Sequence, residues 1–243
     1  MKTVLITGAS KGIGRQMAIA FAKERYNVII NYNKSQDTAK ALESELKASG
    51  YSVVAIKADI SSEEEVQKMI YEGYSLFSSI DVLINNAAIS SIKLFTDITL
   101  EEWNEIFSVN VNGTFNVTKA VLNKMINAKY GKIINVSSIW GMVGASCETH
   151  YSATKGAIIS LTKALAKELG PSNINVNCIA PGVIATEMND NLTVEELDML
   201  KEDTPLERIG STTDIANLAL FLASDKASFI TGQIISPNGG FVI

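Results

Sequence analysis

Thr3-Val4-Leu5-Ile6-Thr7-Gly8-Ala9-Ser10-Lys11-Gly12-Ile13-Gly14-Arg15 stands almost at the start of the chain. A short apolar run ends at Gly8, two more glycines follow, and a helical period begins at Gly12. The spacing is G-x-x-x-G-x-G, not G-x-G-x-x-G. A strand that turns through glycines into a helix lets a pyrophosphate approach the backbone, and the helix start offers it unpaired N–H groups and a partial positive charge. Gly8, Ser10, Lys11, Gly12, Ile13 and Gly14 are therefore expected to cradle the phosphates of a dinucleotide.

Outward from this loop the same grammar repeats. Short β-branched runs at 3–7, 27–32, 52–57, 82–85, 132–137, 175–179 and 233–236 alternate with helical segments at 12–23, 36–48, 63–76, 101–127, 151–169 and 213–223. That alternation predicts an α/β fold, a doubly wound parallel sheet of seven strands with helices on both faces, in a single domain over 1–243. The strand runs are apolar nearly throughout, as sheets covered on both faces require. Ser61 or Ser62 is placed to cap the helix at 63, Thr99 with Glu102 forms a capping box, and Gly170-Pro171 ends the helix from 151. The longest irregular stretch, 182–210, carries a short helical piece near 194–201. It follows a predicted strand, where open sheets bind ligands, and is a candidate substrate lid.

Composition narrows the function. Hydrophobic residues make up 47% and charged residues 19%, which describes a folded globular chain. The net charge of −5 argues against nucleic-acid or anionic-membrane partners. Two cysteines and one histidine leave little for a disulfide framework or a metal cluster, so no metal and a cytoplasmic setting are expected. No apolar run reaches the roughly 18 residues of a membrane span.

The choice of dinucleotide turns on the end of the second strand. An NAD site usually carries an acid about 20 residues beyond the glycines to hold the ribose 2′-hydroxyl. Here Asn31-Tyr32-Asn33-Lys34-Ser35 holds none, while Lys11 and Arg15 lie at the loop. Positive charge without a carboxylate suits a 2′-phosphate, so NADP(H) is expected over NAD(H).

Chemistry gathers at Tyr151-Ser152-Ala153-Thr154-Lys155, the opening of a predicted helix. Residues four apart share a helix face, so Tyr151 and Lys155 point into one site. A tyrosine is a poor acid near neutrality, and a neighbouring ammonium is expected to lower its pKa. Ser138 ends a predicted strand just upstream, where its hydroxyl can hold a carbonyl oxygen as charge builds there. Asn110 lies among apolar residues within a predicted helix and needs a partner or a task. A short Y-x-x-x-K alone is a common surface pattern; its coincidence with Ser138 and the glycine loop points to carbonyl reduction.

These pieces together resemble the short-chain dehydrogenase/reductase family nearly end to end. They are TGASKGIG at 7–14, Asp59-Ile60, NNAA at 85–88, Asn110, Ser138, YSATK at 151–155, Pro181-Gly182 with Thr186, and ITGQ at 230–233. The subgroup most similar is the bacterial 3-oxoacyl-[acyl-carrier-protein] reductases. The resemblance implies a Rossmann-type sheet in the order 3-2-1-4-5-6-7, a homotetramer, and a ketone substrate carried on acyl carrier protein. It assigns Asn31, Asp59, Ile60, Asn86 and Ala87 to cofactor contacts, with Asp59 and Ile60 beside the adenine and Asn86 at the ribose. Lys155, with Tyr151, would meet the nicotinamide ribose. Pro181, Gly182, Ile184 and Thr186 would line the nicotinamide amide and phosphate. Asn110 would hold a relay water and Ser138 would orient the carbonyl. The sequence departs from the pattern at NNAA, at Pro237-Asn238-Gly239-Gly240, and at Pro171-Ser172-Asn173, which lacks a carrier-docking arginine; Lys129 is the nearest replacement.

The stretch 137–148 is also similar to a branch associated with reducing a 5-aminopentanone-modified lysine on elongation factor P. There Trp140 and Glu148 flank the catalytic residues, and an acid can pair with a cationic amine. An NAD-linked alcohol or sugar dehydrogenase is a further reading, and a non-catalytic dinucleotide-binding protein is the rival from outside the enzymes.

Overall fold

The chain forms seven parallel strands in the order β3-β2-β1-β4-β5-β6-β7. The computed structural model describes residues 1–187 and 193–243. The strands are β1 (Thr3–Ile6), β2 (Asn27–Tyr32), β3 (Val53–Lys57), β4 (Val82–Asn85), β5 (Gly131–Val136), β6 (Ile174–Ile179) and β7 (Ile234–Ile235). The helices are α1 (Gly12–Lys23), α2 (Gln36–Ala48), α3 (Glu63–Leu76), α4 (Leu100–Phe107), α5 (Gly113–Ala128), α6 (Trp140–Val143), α7 (Thr149–Leu169), α8 (Val194–Glu202) and α9 (Thr212–Ala223).

Strand periodicity explains the layering. Val4 and Ile6 belong to one core cluster and Leu5 to the other; Val28 and Ile30 part from Ile29 in the same way, as do Val82 and Ile84 from Leu83. Alternate side chains leave opposite faces of a strand, so two cores form from one run. Met17, Phe21, Leu42 and Leu222 from α1, α2 and α9 fill the first core. Met69, Val117, Val121 and Leu169 from α3, α5 and α7 fill the second. Between neighbouring β1 and β4 the winding reverses, and this opens a crevice at their carboxyl ends.

Helix boundaries follow the expected caps. Ser62 accepts from the Glu65 N–H, and Thr99 with Glu102 makes a reciprocal capping box. One expectation is corrected: the single helix over 101–127 is interrupted. A π-helical turn at Ser108–Asn112 joins α4 to α5. Such turns insert one residue and often mark functional sites. Here the turn carries Asn110. The helix that carries Tyr151 also begins two residues earlier than predicted, at Thr149. The helical piece expected inside 182–210 is α8; residues 188–192 of that candidate lid lie outside the described residues.

Candidate active site

The glycine loop is held open by its neighbours. Gly8 has φ +61°, and a Cβ there would stand 2.8 Å from the Ala87 Cα. A Cβ on Gly14 would meet the Gly8 carbonyl oxygen at 2.5 Å and the Asn86 side chain at 2.7 Å. Only glycine fits where two backbones come this close. Thr7 ties the loop to the segment after β4: its Oγ1 accepts from the Asn86 and Ala87 N–H groups, each at 3.0 Å. Asn86 Nδ2 returns bonds to the carbonyls of Thr7 (2.9 Å) and Gly8 (3.2 Å). Asn31, 2% exposed, accepts from the Gly8 N–H at 3.3 Å and donates to the Ala58 carbonyl at 3.0 Å. The amides of Asn31 and Asn86 thus brace the loop.

The start of α1 has no side-chain cap and no acid in its first turn, unlike α3, α4 and α9. Its first N–H groups remain available to an anion. Thr186 and Glu187 approach Gly12 from the far side, within 3.4–3.7 Å of where its Cβ would be. A narrow glycine-floored slot with an open helix start fits a dinucleotide pyrophosphate. Gly182 passes Asn238 so closely that a Cβ would meet its Cα at 2.8 Å, and Ile184 bridges to Gly210, which fixes the 181–186 segment beside the slot. The Pro181 carbonyl accepts from the Ile139 N–H at 3.0 Å and joins this wall to the Ser138 loop.

Asp59 follows β3 and accepts from Asn33, just past the end of β2, at 2.9 Å. Burial works to raise its pKa, but hydrogen bonds from Ser61 and Asn33 outweigh it and hold the carboxyl below its ordinary value. Ile60 is buried beside it. Arg15 is held 2.8 Å from Glu45 of α2, an exposed pair that the sequence reading missed. Thirty residues separate the partners, and only the packing of α2 beside α1 unites them.

On the other side of the crevice stand Ser138, Tyr151 and Lys155, 8%, 8% and 3% exposed. Ser138 leaves the end of β5, and its Oγ accepts from the Trp140 N–H at 3.2 Å. The Ser138 side chain works to lower the Tyr151 pKa. Lys155 Nζ lies 5.4 Å from the Tyr151 ring centre and donates to the Val136 carbonyl at 2.9 Å. Ser137 Oγ donates to the Lys155 carbonyl at 2.8 Å.

The electrostatics reverse one expectation. Burial, reinforced by the Glu148 carboxylate, pushes the Tyr151 pKa up, and the Ser138 side chain only partly offsets it. Burial also pulls Lys155 down to about 8. Desolvation is the largest cause of both shifts. Tyr151 therefore keeps its proton until negative charge develops next to it, the state a proton donor needs.

Asn110 is 1% exposed. Its side chain exchanges two 2.9 Å bonds with the backbone of Ile89 and donates to Thr154 Oγ1 at 3.1 Å. It couples the loop after β4 to the helix that carries Tyr151. Trp140 packs edge-on against Phe241 with ring centres 6.1 Å apart, a partner from the chain's far end that no local signal announced. Glu148 is half-buried, and burial alone raises its pKa. Lys129 is not brought to this site. It ends α5, where its carbonyl accepts from Asn173 at 3.0 Å. That is the opposite end of β5 from Ser138, about 20 Å away for six strand residues.

With this geometry the comparisons agree. A family profile described as enoyl-(acyl carrier protein) reductase matches residues 8–242. The chain belongs to the short-chain dehydrogenase/reductase family. It is accordingly an NAD(P)-dependent oxidoreductase acting on CH–OH groups. It is 45% identical over 239 residues to a 3-oxoacyl-[acyl-carrier-protein] reductase of Staphylococcus epidermidis, covering 98% of each chain. Among solved structures, the 3-oxoacyl-[acyl-carrier protein] reductase of Brucella melitensis superposes with a TM-score of 0.94 at 36% identity, over 100% of this chain and 92% of that one. A gluconate 5-dehydrogenase of Burkholderia cenocepacia, in complex with NADP and tartrate, has the same TM-score at 31% identity, over 99% and 94%. Among the described residues, no helix is long and apolar enough to cross a membrane.

Proposed function

We propose that this member of the family reduces the ketone of a 3-oxoacyl thioester carried on acyl carrier protein, using NADPH. The observation that carries the reading is the buried cluster of Tyr151, Ser138 and Lys155, with Lys155 Nζ 5.4 Å from the Tyr151 ring centre, at the same carboxyl edge of the sheet as the glycine loop. The names of the curated relatives support the substrate class, and the NADP-bound neighbour supports the cofactor. The reading places the work in the cytoplasm and in a homotetramer.

The loop from Gly8 to Gly14 and the uncapped start of α1 would hold the pyrophosphate, with Lys11 and Arg15 towards the 2′-phosphate. Bound there, the cofactor supplies a hydride. Ser138 holds the ketone oxygen and orients it towards Tyr151. Tyr151 Oη gives its proton to that oxygen as negative charge develops. Lys155, buried and charged below about pH 8, stabilises the phenolate left behind. Asn110, fixed between Ile89 and Thr154, holds the far side of the helix in place while a proton returns.

A second reading has one observation in its favour. Glu148 is a half-buried carboxylate one helical turn before Tyr151, and among the described residues no cation pairs with it. An amino-ketone such as the 5-aminopentanone group on elongation factor P would supply that cation. Turnover measured side by side with an acetoacetyl thioester and an amino-ketone decides between them. Preference for the thioester by tenfold or more in kcat/KM supports the carrier reading; the reverse preference, lost in Glu148→Gln, supports the second.

A further inference from the structure

Between β4 and α4 the chain runs through 86–94 without regular structure, yet alternate residues are tied down. The Ala87 N–H donates to Thr7 Oγ1 at 3.0 Å. Ile89 is held at both its N–H and its carbonyl by Asn110. Ser91 Oγ lies 2.7 Å from His150 Nε2. The Lys93 N–H donates to the Cys147 carbonyl at 2.7 Å. A period of two is that of extended chain. The segment is a strap, fastened in turn to the phosphate loop, the π-helical turn, the first turn of α7 and the residues just before it.

His150 is the chain's single histidine, is 1% exposed and directly precedes Tyr151. Among the described residues its Nδ1 has no hydrogen-bond partner, so the ring hangs on Ser91. A half-satisfied buried ring costs stability, and an apolar side chain would fill the space without that cost. Packing therefore does not account for the imidazole. One turn further along α7, Thr154 is held by Asn110, which grips the same strap at Ile89. The strap thus holds α7 at two successive turns, on either side of Tyr151.

We infer that the Ser91–His150 hydrogen bond positions Tyr151, fixing the first turn of α7 so that the phenol meets Ser138 and the ketone oxygen. His150 touches no reacting atom; it acts through the helix. The inference rests on the reading of Tyr151 as proton donor. Small displacements of a reacting group cost rate steeply, so loss of the bond is expected to lower kcat about tenfold.

The test measures NADPH-dependent reduction of an acetoacetyl thioester by Ser91→Ala, His150→Leu, the double variant, His150→Gln and Tyr151→Phe. Each of the first two should lose about tenfold in kcat while the KM for NADPH stays within about twofold. The double variant should lose no more than either single. His150→Gln, whose amide reaches Ser91 from the place of Nε2, should recover most of the rate. A merely structural contact would lower the thermal midpoint and leave the kcat of the folded enzyme unchanged. Full kcat in Ser91→Ala, multiplying losses in the double variant, or a glutamine no better than leucine would overturn the inference. Should His150→Leu fail to fold, Ser91→Ala and His150→Gln decide the matter. If Tyr151→Phe keeps its turnover, the proton-donor reading and this inference fall together. If it is inactive while Ser91→Ala keeps full kcat, the inference alone falls.

Discussion

The two sides of the crevice are built differently. The cofactor side is held by backbone contacts so tight that Gly8 and Gly14 leave no room for a methyl group, and Thr7, Asn31 and Asn86 lock the loop from beneath. The side that carries Ser138 and Tyr151 is held by side chains drawn from distant segments: Trp140 with Phe241, Asn110 with Ile89 and Thr154. Backbone packing gives one shape suited to one shared ligand. Side-chain pairing leaves a wall that substitution can reshape without disturbing that ligand. The contrast explains how a gluconate dehydrogenase and a 3-oxoacyl reductase share this architecture at a TM-score of 0.94.

Substitutions on each side should therefore separate binding of cofactor from chemistry. The largest effect is expected from Gly14→Ala. Its Cβ would stand 2.5 Å from a carbonyl oxygen, so the loop must move. NADPH affinity should fall about a hundredfold with a lowered thermal midpoint, as overpacking at a rigid site costs on the order of 1–3 kcal/mol and misplaces the cradle. Fluorescence titration of NADPH measures it, and an unchanged Kd would break the contrast. Ser138→Ala should do the opposite: kcat down roughly 10²-fold, with NADPH affinity retained.

A smaller effect follows from Lys155, whose pKa burial holds near 8. Below that pH the side chain carries its proton and steadies the phenolate; as pH rises through about 8 the charge is lost. The kcat/KM for NADPH, which reports the free enzyme, should decline on this alkaline limb by about tenfold per unit. The smallest effect concerns Arg15. Glu45 holds it 2.8 Å away, and this competes with a 2′-phosphate. Glu45→Gln should raise NADPH affinity two- to fivefold, about the worth of an exposed pair, and leave NADH affinity unchanged.

Much of the cofactor side was legible in the sequence because its determinants are local. Three glycines, a strand end and a helix start stand within a dozen residues, and Thr99 with Glu102 announced its capping box in the same way. Tyr151 and Lys155 were legible for the same reason, four residues apart on one helix. The rest of their side was less so. Phe241 meets Trp140 across a hundred residues, Ser91 meets His150 across 59, and nothing near either partner specifies the other. The π-helical turn escaped as well, because Val109-Asn110-Val111-Asn112 keeps the apolar pattern of an unbroken helix while Asn110 is drawn out of it by Ile89 and Thr154. The direction of the Tyr151 shift was misread since burial, which decides it, is not visible in a motif.

The central claim is that Tyr151 donates the proton from a site whose cofactor half stands independently of it. Tyr151→Phe removes one oxygen and leaves the ring. Turnover and NADPH binding measured on that single variant test the claim together. The variant is expected to lose at least about a hundredfold in kcat with the NADPH Kd unchanged within about twofold. Retained turnover, or a loss explained by weakened NADPH binding, would contradict it.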